Sequence, residues 1–153
     1  MLCLTLLGSK APNSLFAQRY CSQRFHYCLD YPASLFPNPF FSADEDSLIF
    51  KTPDQLGEVS VIGTVTDKKQ DSHLAFEQRM RVLSASVTGQ QVNILSIING
   101  DDYYEVNFLY GSHWYHQKAG FYQNYDVLFT IRVPVNRPEL MVRLKEDVSI
   151  LFD

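Results

Sequence analysis

No stretch of this chain approaches eighteen consecutive apolar residues, so nothing in it reads as a membrane-spanning helix. Basic residues are not in excess either. Thirteen Lys and Arg stand against seventeen Asp and Glu, a net charge of −4, which leaves no basic surface for general nucleic-acid or anionic-membrane binding. The compact catalytic signatures are missing as well: there is no G-x-G-x-x-G, P-loop, H-E-x-x-H or G-x-S-x-G. Cysteine is scarce, at three residues, and no C-x-x-C spacing offers a redox dithiol or a zinc site. The acids Asp44, Glu45 and Asp46, and the pair Asp101-Asp102, lack the glycine and twelve-residue spacing of a calcium loop and read as solvated loops. No cofactor and no metal are therefore expected.

What the chain does have is aromatic surface: eleven Phe, nine Tyr and one Trp in 153 residues. That length suits one domain, and neither an internal repeat nor a Pro/Gly-rich linker divides it. Residues 1–7 are apolar and a polar segment follows as far as Ala17, the order of a secretory signal peptide's tail. There is no basic segment before the apolar run, so the expectation is a shortened signal cut near Ala17; the plain alternative is a loosely packed N-terminus. Residues 1–19 are set apart on this ground, and residues 20–153 form the domain. Without the signal, Cys21 and Cys28 remain as an even pair, which suits an oxidising compartment, the periplasm or the cell exterior. Seven extended residues hold Cα atoms roughly 23 Å apart, so a disulfide requires Ser22-Gln23-Arg24 to reverse the chain. Two free thiols are the alternative.

Residues 25–31 alternate, with Phe25, Tyr27, Leu29 and Tyr31 on one side and His26, Cys28 and Asp30 on the other, the period of a half-buried strand. An aromatic, proline-pinned arm leads to the acidic loop and a short strand at 48–50. Residues 58–67 follow as a strand with Val59, Val61 and Val65 on a common side. Asp71 or Ser72 caps a helix over 73–85 whose apolar positions are Phe76, Met80 and Leu83, and Val87 and Gly89 mark its exit. Residues 91–98 are nearly continuous in apolar side chains and read as a central strand. Asn99-Gly100 reads as a type I′ turn. Further strands follow over 104–110, 113–118 and 125–133, the last two separated by a turn at Ala119-Gly120. Asn136 and Pro138 open a final helix with Leu140, Leu144, Val148 and Leu151 as its buried stripe, and Glu139 paired with Arg143 outside. Strands joined by tight turns pair antiparallel, so the expected fold is α+β: one antiparallel sheet of six to seven strands with two helices shielding one side.

The run Phe25-His26-Tyr27-Cys28-Leu29-Asp30-Tyr31-Pro32, then Leu48-Ile49-Phe50, then Val59-Ser60-Val61-Ile62-Gly63 resembles a group of small exported bacterial proteins. These are similar in turn to the superfold shared by PsbP, the extrinsic photosystem II subunit, and the Ran-binding Mog-type proteins. The order of the later elements, through Trp114-Tyr115-His116-Gln117-Lys118 to Ile150-Leu151-Phe152, extends the likeness over about residues 20–152. Members of the group often carry an Asn- and Gly-rich loop before the second strand, whereas this chain has the acidic, glycine-free Ser42-Ala43-Asp44-Glu45-Asp46-Ser47. The resemblance implies a PsbP-like fold and an accessory role of the assembly-factor kind, but such a superfold hosts many functions.

Two functional readings follow. The first is a non-catalytic envelope or secreted binding module whose partner, a protein or another envelope component, meets an aromatic patch at Tyr103, Trp114, Tyr115 and Tyr122. The alternative is a small hydrolase-like enzyme using His113 or His116 with nearby acids or tyrosines. Strand geometry sends those two histidines to opposite faces, which works against a shared metal. A Cys28–His26 nucleophile pair fails if Cys28 is bridged, and His73, at a helix start, reads as exposed.

Overall fold

The computed structural model describes residues 17–86 and 90–152. The apolar N-terminal stretch, Cys3 and the helix exit at Val87 and Gly89 lie outside them. Among the described residues the backbone forms two antiparallel sheets. The smaller has the order β1-β2-β10, built from β1 (Ala17–Ser22), β2 (Tyr27–Pro32) and the C-terminal β10 (Ser149–Phe152). The larger has seven strands in the order β3-β4-β5-β9-β8-β7-β6. Its members are β3 (Phe40–Phe41), β4 (Ser47–Lys51), β5 (Glu58–Val65), β6 (Asn93–Asn99), β7 (Tyr103–Tyr110), β8 (His113–Phe121) and β9 (Tyr125–Pro134). Helix α1 (Ser72–Ser86) lies between β5 and β6, and α2 (Pro138–Asp147) between β9 and β10.

Local chemistry explains the punctuation. Asp71 is the residue that caps α1, its Oδ1 accepting from Leu74 N–H at 3.0 Å. Pro138 opens α2 where its missing N–H costs nothing, Glu139 lies in the first turn, and Lys145 lies in the last, as the helix dipole favours. Gly111, at φ +60°, makes the β7–β8 reversal that an L-residue resists.

Cross-strand partners point the same way, so the register assigns each side chain to a face. Leu48, Phe50, Val59, Val61, Phe129, Ile131 and Val133 share one face of the large sheet. They are buried against Leu140, Met141 and Leu144 of α2 and against Tyr27, Leu29, Tyr31 and Ile150 of the small sheet. The opposite face presents Tyr104, Val106, Phe108, Ala119 and Phe121, buried with Met80 of α1 and flanked by Phe76 and Leu83. Two separate cores therefore flank one sheet.

The α+β class and the antiparallel pairing stand, and several details change. The helices cover opposite faces of the sheet rather than one. The Tyr-Pro strand belongs to the small sheet, because β1, which begins inside the segment set apart as residues 1–19 and runs on into the domain, pairs with it from Ala17 to Ser22. Residues 91–98 do not form a central strand: β6 is the outer edge, with a bulge that leaves Leu95 as an extra residue between Ile94 and Ser96. The hairpin turn falls two residues later than expected. Gly100 N–H bonds Tyr103 C=O, which leaves Asp101-Asp102 as the loop, and Gly100 does not take positive φ. Strand β8 runs through Ala119-Gly120 to Phe121, and the reversal comes at 122–125. The final helix stops at Asp147; Leu151 lies in β10 and is 51% exposed, with Ile150 taking the buried position. Glu139 pairs with Arg137, and Arg143 with Asp147. Val65 closes β5 exposed rather than buried.

Candidate binding surface

The β1–β2 hairpin brings Cys21 opposite Cys28, with Cα atoms 4.1 Å apart, and the two are joined in a disulfide. The chain reverses through residues 23–26, where Ser22 Oγ accepts from Phe25 N–H at 3.0 Å and His26 takes φ 49°. Cys28 is thus unavailable as a nucleophile for His26. The acidic loop turns out to be structural. Glu45 accepts from Gln23 and Arg24 N–H at 3.0 and 3.3 Å, and Arg24 donates to Asp44 C=O at 2.9 Å. Asp46 C=O receives Gly63 N–H at 2.8 Å, and its carboxylate receives Ser42 Oγ–H at 2.9 Å. These acids pin the small sheet's hairpin to the large sheet.

Helix α1 covers the β7–β8 side of its face and leaves the β9, β5 and β4 side open. The register lays out three rows there: Tyr115, Arg132, Glu58 and Lys51; Gln117, Thr130, Ser60, Ile49 and Phe40; Ala119, Leu128, Ile62 and Ser47. Ile62 is 46% exposed, although its neighbour Val61 on the reverse side of β5 is fully buried, and Phe40 of β3 is 55% exposed. Lys51 Nζ reaches Glu58 at 3.9 Å, so the first row alternates in charge. His113 adjoins it, and Arg132 helps burial to hold that imidazole below its ordinary pKa, against an upward pull from Glu58. At the outer corner a groove of about 450 Å³ is lined by Phe40, Ile49, Lys51 and Glu58 together with loop residues such as Pro37, Thr52 and Pro53. None of its lining comes from residues 113–118.

The four aromatic residues singled out from the sequence are not assembled into one patch. Tyr115 stacks on Phe108 with ring centroids 4.8 Å apart, at the border of the open face. Trp114 points to the other face, packed against the α2 core, and its buried Nε1 has no hydrogen-bond partner. Tyr122 stacks on Tyr125 at 4.6 Å in the β8–β9 turn. Tyr103, 46% exposed, lies at the far corner over Gly100. What the sequence reading missed is the row Arg132–Glu58–Lys51. Its members sit on three strands, and only their pairing joins them.

His113 and His116 do lie on opposite faces. His116 is buried, its Nδ1 2.8 Å from Asn107 Oδ1, while Asn107 Nδ2 donates to Ser96 Oγ at 2.9 Å and Lys145 Nζ to Asn107 Oδ1 at 3.4 Å. Burial, then the charges of Lys145 and Lys118, push its pKa down to about 4. Its Nε2 lies 3.8 Å from Glu105, so at neutral pH that contact is not an ion pair. Asp126, at the head of β9, moves the other way: burial raises its carboxyl to about 6 despite the pull of Arg79, and its Oδ1 has no partner. Among the described residues no cluster of three or more His, Cys, Asp and Glu could hold a metal ion.

These two groups give opposed pH dependences. Between about pH 6.5 and 4 the unfolded chain protonates His116 and the folded chain does not, so this group's contribution to stability falls as pH falls. Between about pH 6 and 3.8 the folded chain holds a proton on Asp126 that the unfolded chain has released, so that contribution rises as pH falls. In urea titrations the stability of His116→Gln, taken relative to wild type, is expected to climb as pH drops from 6.5 to 4. That of Asp126→Asn should decline from pH 6 to 4. Each trend is bounded by about 1.4 kcal/mol per pH unit. Parallel curves for all three proteins would contradict both assignments.

No family model matches the chain, and no curated protein does. Solved structures do. A solution structure of cyanobacterial PsbP (CyanoP) from Synechocystis sp. PCC 6803 is similar with a TM-score of 0.62 at 15% identity, over 95% of this chain and 99% of that one. The Ran-binding protein Mog1p of Saccharomyces cerevisiae is similar with a TM-score of 0.57 at 10% identity, over 86% and 84%. The fold is therefore of the PsbP/Mog kind, and this likeness holds with the Tyr-Pro strand in its own small sheet.

Proposed function

We propose that the chain is a non-catalytic binding and accessory module that works in the periplasm or outside the cell and holds a protein partner on the open half of the α1 face. The observation that carries this reading is the contrast between the two sides of β4, β5 and β9. One side is a sealed core; the other keeps Ile62 in solvent, with Phe40 of the adjoining β3, beside the alternating charges of Arg132, Glu58 and Lys51. An open surface of mixed charge and apolar area, spread over three strands with a groove only at its outer corner, suits a protein partner. The printed role of the yeast neighbour, Ran binding, supports the class of function. The Cys21–Cys28 pair supports an oxidising compartment.

The test is affinity capture with Ile62→Asp/Arg132→Glu against wild type, with Val142→Asp, on the exposed side of α2, as the control. The double variant is expected to lose at least about tenfold of the captured partner, as truncating or reversing a central contact does, while the control retains it. Equal capture by all three would remove the open face as the binding surface. Cell fractionation checks the compartment: an intact, thiol-reduced chain in the cytoplasm would overturn it.

A further inference from the structure

The edge strand β6 presents Asn93, Ile94, Leu95, Ser96, Ile97, Ile98 and Asn99, seven residues without a charge or a proline. All but Asn99 are exposed, Ile98 at 57%. Charges, prolines and very short length are the usual guards of an open edge, and here only the bulge at Leu95 is present, toward one end. The edge also has free backbone groups at known positions. Gly100 N–H bonds Tyr103 C=O, so residues 100 and 103 are a hydrogen-bonded pair. An antiparallel ladder alternates, which makes 98 with 105 and 96 with 107 bonded pairs, and 97 with 106 and 99 with 104 unbonded ones. The N–H and C=O of Ile97 and Asn99 therefore point away from β7, into the open edge.

From this we infer that β6 pairs antiparallel with β6 of a second copy, about a two-fold axis at Ile97, joining the two seven-stranded sheets into one. An isologous contact sets each residue against its mirror position, so the strand must suit itself. It does. The outward N–H and C=O of Ile97 meet those of the partner's Ile97, forming both bonds of a hydrogen-bonded pair. Side chains stay on matching faces: Ile97 against Ile97 on the α1 side, and Ser96 against Ile98 on the other. Continuing outward, Leu95 meets Asn99 and Asn93 meets Asp101, so no like charges are opposed. The same charge-free strand gives a foreign partner no charge to recognise. Seven residues a side is small beside the 20–30 of a standard interface, so the dimer is weak, with a Kd of roughly micromolar order or above. This contact is at the opposite edge of the sheet from the binding surface proposed above and does not depend on it.

The test is sedimentation velocity on the full chain over a concentration series up to about 1 mM, which covers that affinity range. Wild type is expected to move from the mass of one chain toward that of two. Ile97→Glu, which sets two carboxylates face to face at the axis, should weaken association by about 100-fold. Ile97→Lys should do the same, and mixing the two variants should restore a dimer, which a folding defect in either cannot do. Amide exchange at Ile97 and Asn99 should slow with rising concentration. A wild type that stays monomeric throughout overturns the proposal. So does association that ignores both substitutions, and so does exchange already slow at the lowest concentration, which would mean that another part of the chain covers the edge.

Discussion

Phe50→Ala is expected to destabilise the protein by about 3–5 kcal/mol, the range for removing a fully buried aromatic side chain. Phe50 is completely buried, and its ring centroid lies 4.5 Å from Tyr31, 5.3 Å from Phe36 and 5.6 Å from Phe41. It is carried by β4 of the large sheet, Tyr31 by β2 of the small one and Phe36 by the arm between them, so the four rings are the joint between the two sheets. The cavity cannot close by local collapse because each neighbour is held by a different element. For a chain of this length the loss is a fall in Tm of roughly 10–15 °C, and Phe50→Leu, which keeps most of the volume, should cost nearer 1 kcal/mol. A loss below about 1 kcal/mol for the alanine variant, measured by urea unfolding, would mean that the two sheets are held together by something else.

The second large effect concerns a residue with no side chain. Gly63 lies in β5 opposite Val127, and a Cβ built there would fall 2.5–2.6 Å from three atoms of the Phe25 ring. The ring of Phe25, from the disulfide-bonded hairpin, thus lies flat on the glycine backbone. Its position is fixed by Tyr125 at 6.1 Å and by the Glu45 clamp on the adjacent Arg24 N–H. The clash is with ring carbons near the backbone rather than with a flexible tip, so it cannot be relieved by a small swing. Gly63→Ala is expected to cost about 2 kcal/mol and Gly63→Val about 3 kcal/mol or more, by overpacking. Coupling identifies the cause. If Phe25 is the obstacle, Phe25→Ala combined with Gly63→Ala destabilises less than the sum of the two single changes, by at least about 1 kcal/mol. Additive losses would show that the glycine is needed for another reason.

Both effects fall where the small sheet meets the large one, and the open α1 face lies on the other side of the same strands. Stability and binding are therefore separable: Phe50, Gly63 and Phe25 hold the scaffold, while Ile62, Arg132 and Phe40 are spent outward. That separation is why the capture experiment uses exposed positions. Trp114 and Tyr115, attractive from sequence as a patch, are packed against the two cores, and alanine at either would disturb folding together with any contact.

The sequence by itself determined what short-range chemistry controls. The alternation Tyr27, Leu29, Tyr31 specified a buried strand face, Asp71 and Ser72 narrowed the start of α1 to two candidate caps, Pro138 marked where α2 begins, and the spacing of Cys21 and Cys28 admitted a bridge once the chain reverses. Only the tertiary structure decided which strand lies beside which. Residues 91–98 have the apolar content of a central strand, yet β6 is an edge, because hydrophobic content says that a segment can be buried and not what will bury it. The same holds for Leu151 and Ile150, which fit a helical stripe and an alternating strand alike until pairing with β2 chose the strand. It holds too for Arg132, Glu58 and Lys51, which form a row only because β9, β5 and β4 pair in that register. Periodicity is a property of a few neighbouring residues. Sheet order and register are set by contacts across tens of residues, and those are decided only when the whole core is packed.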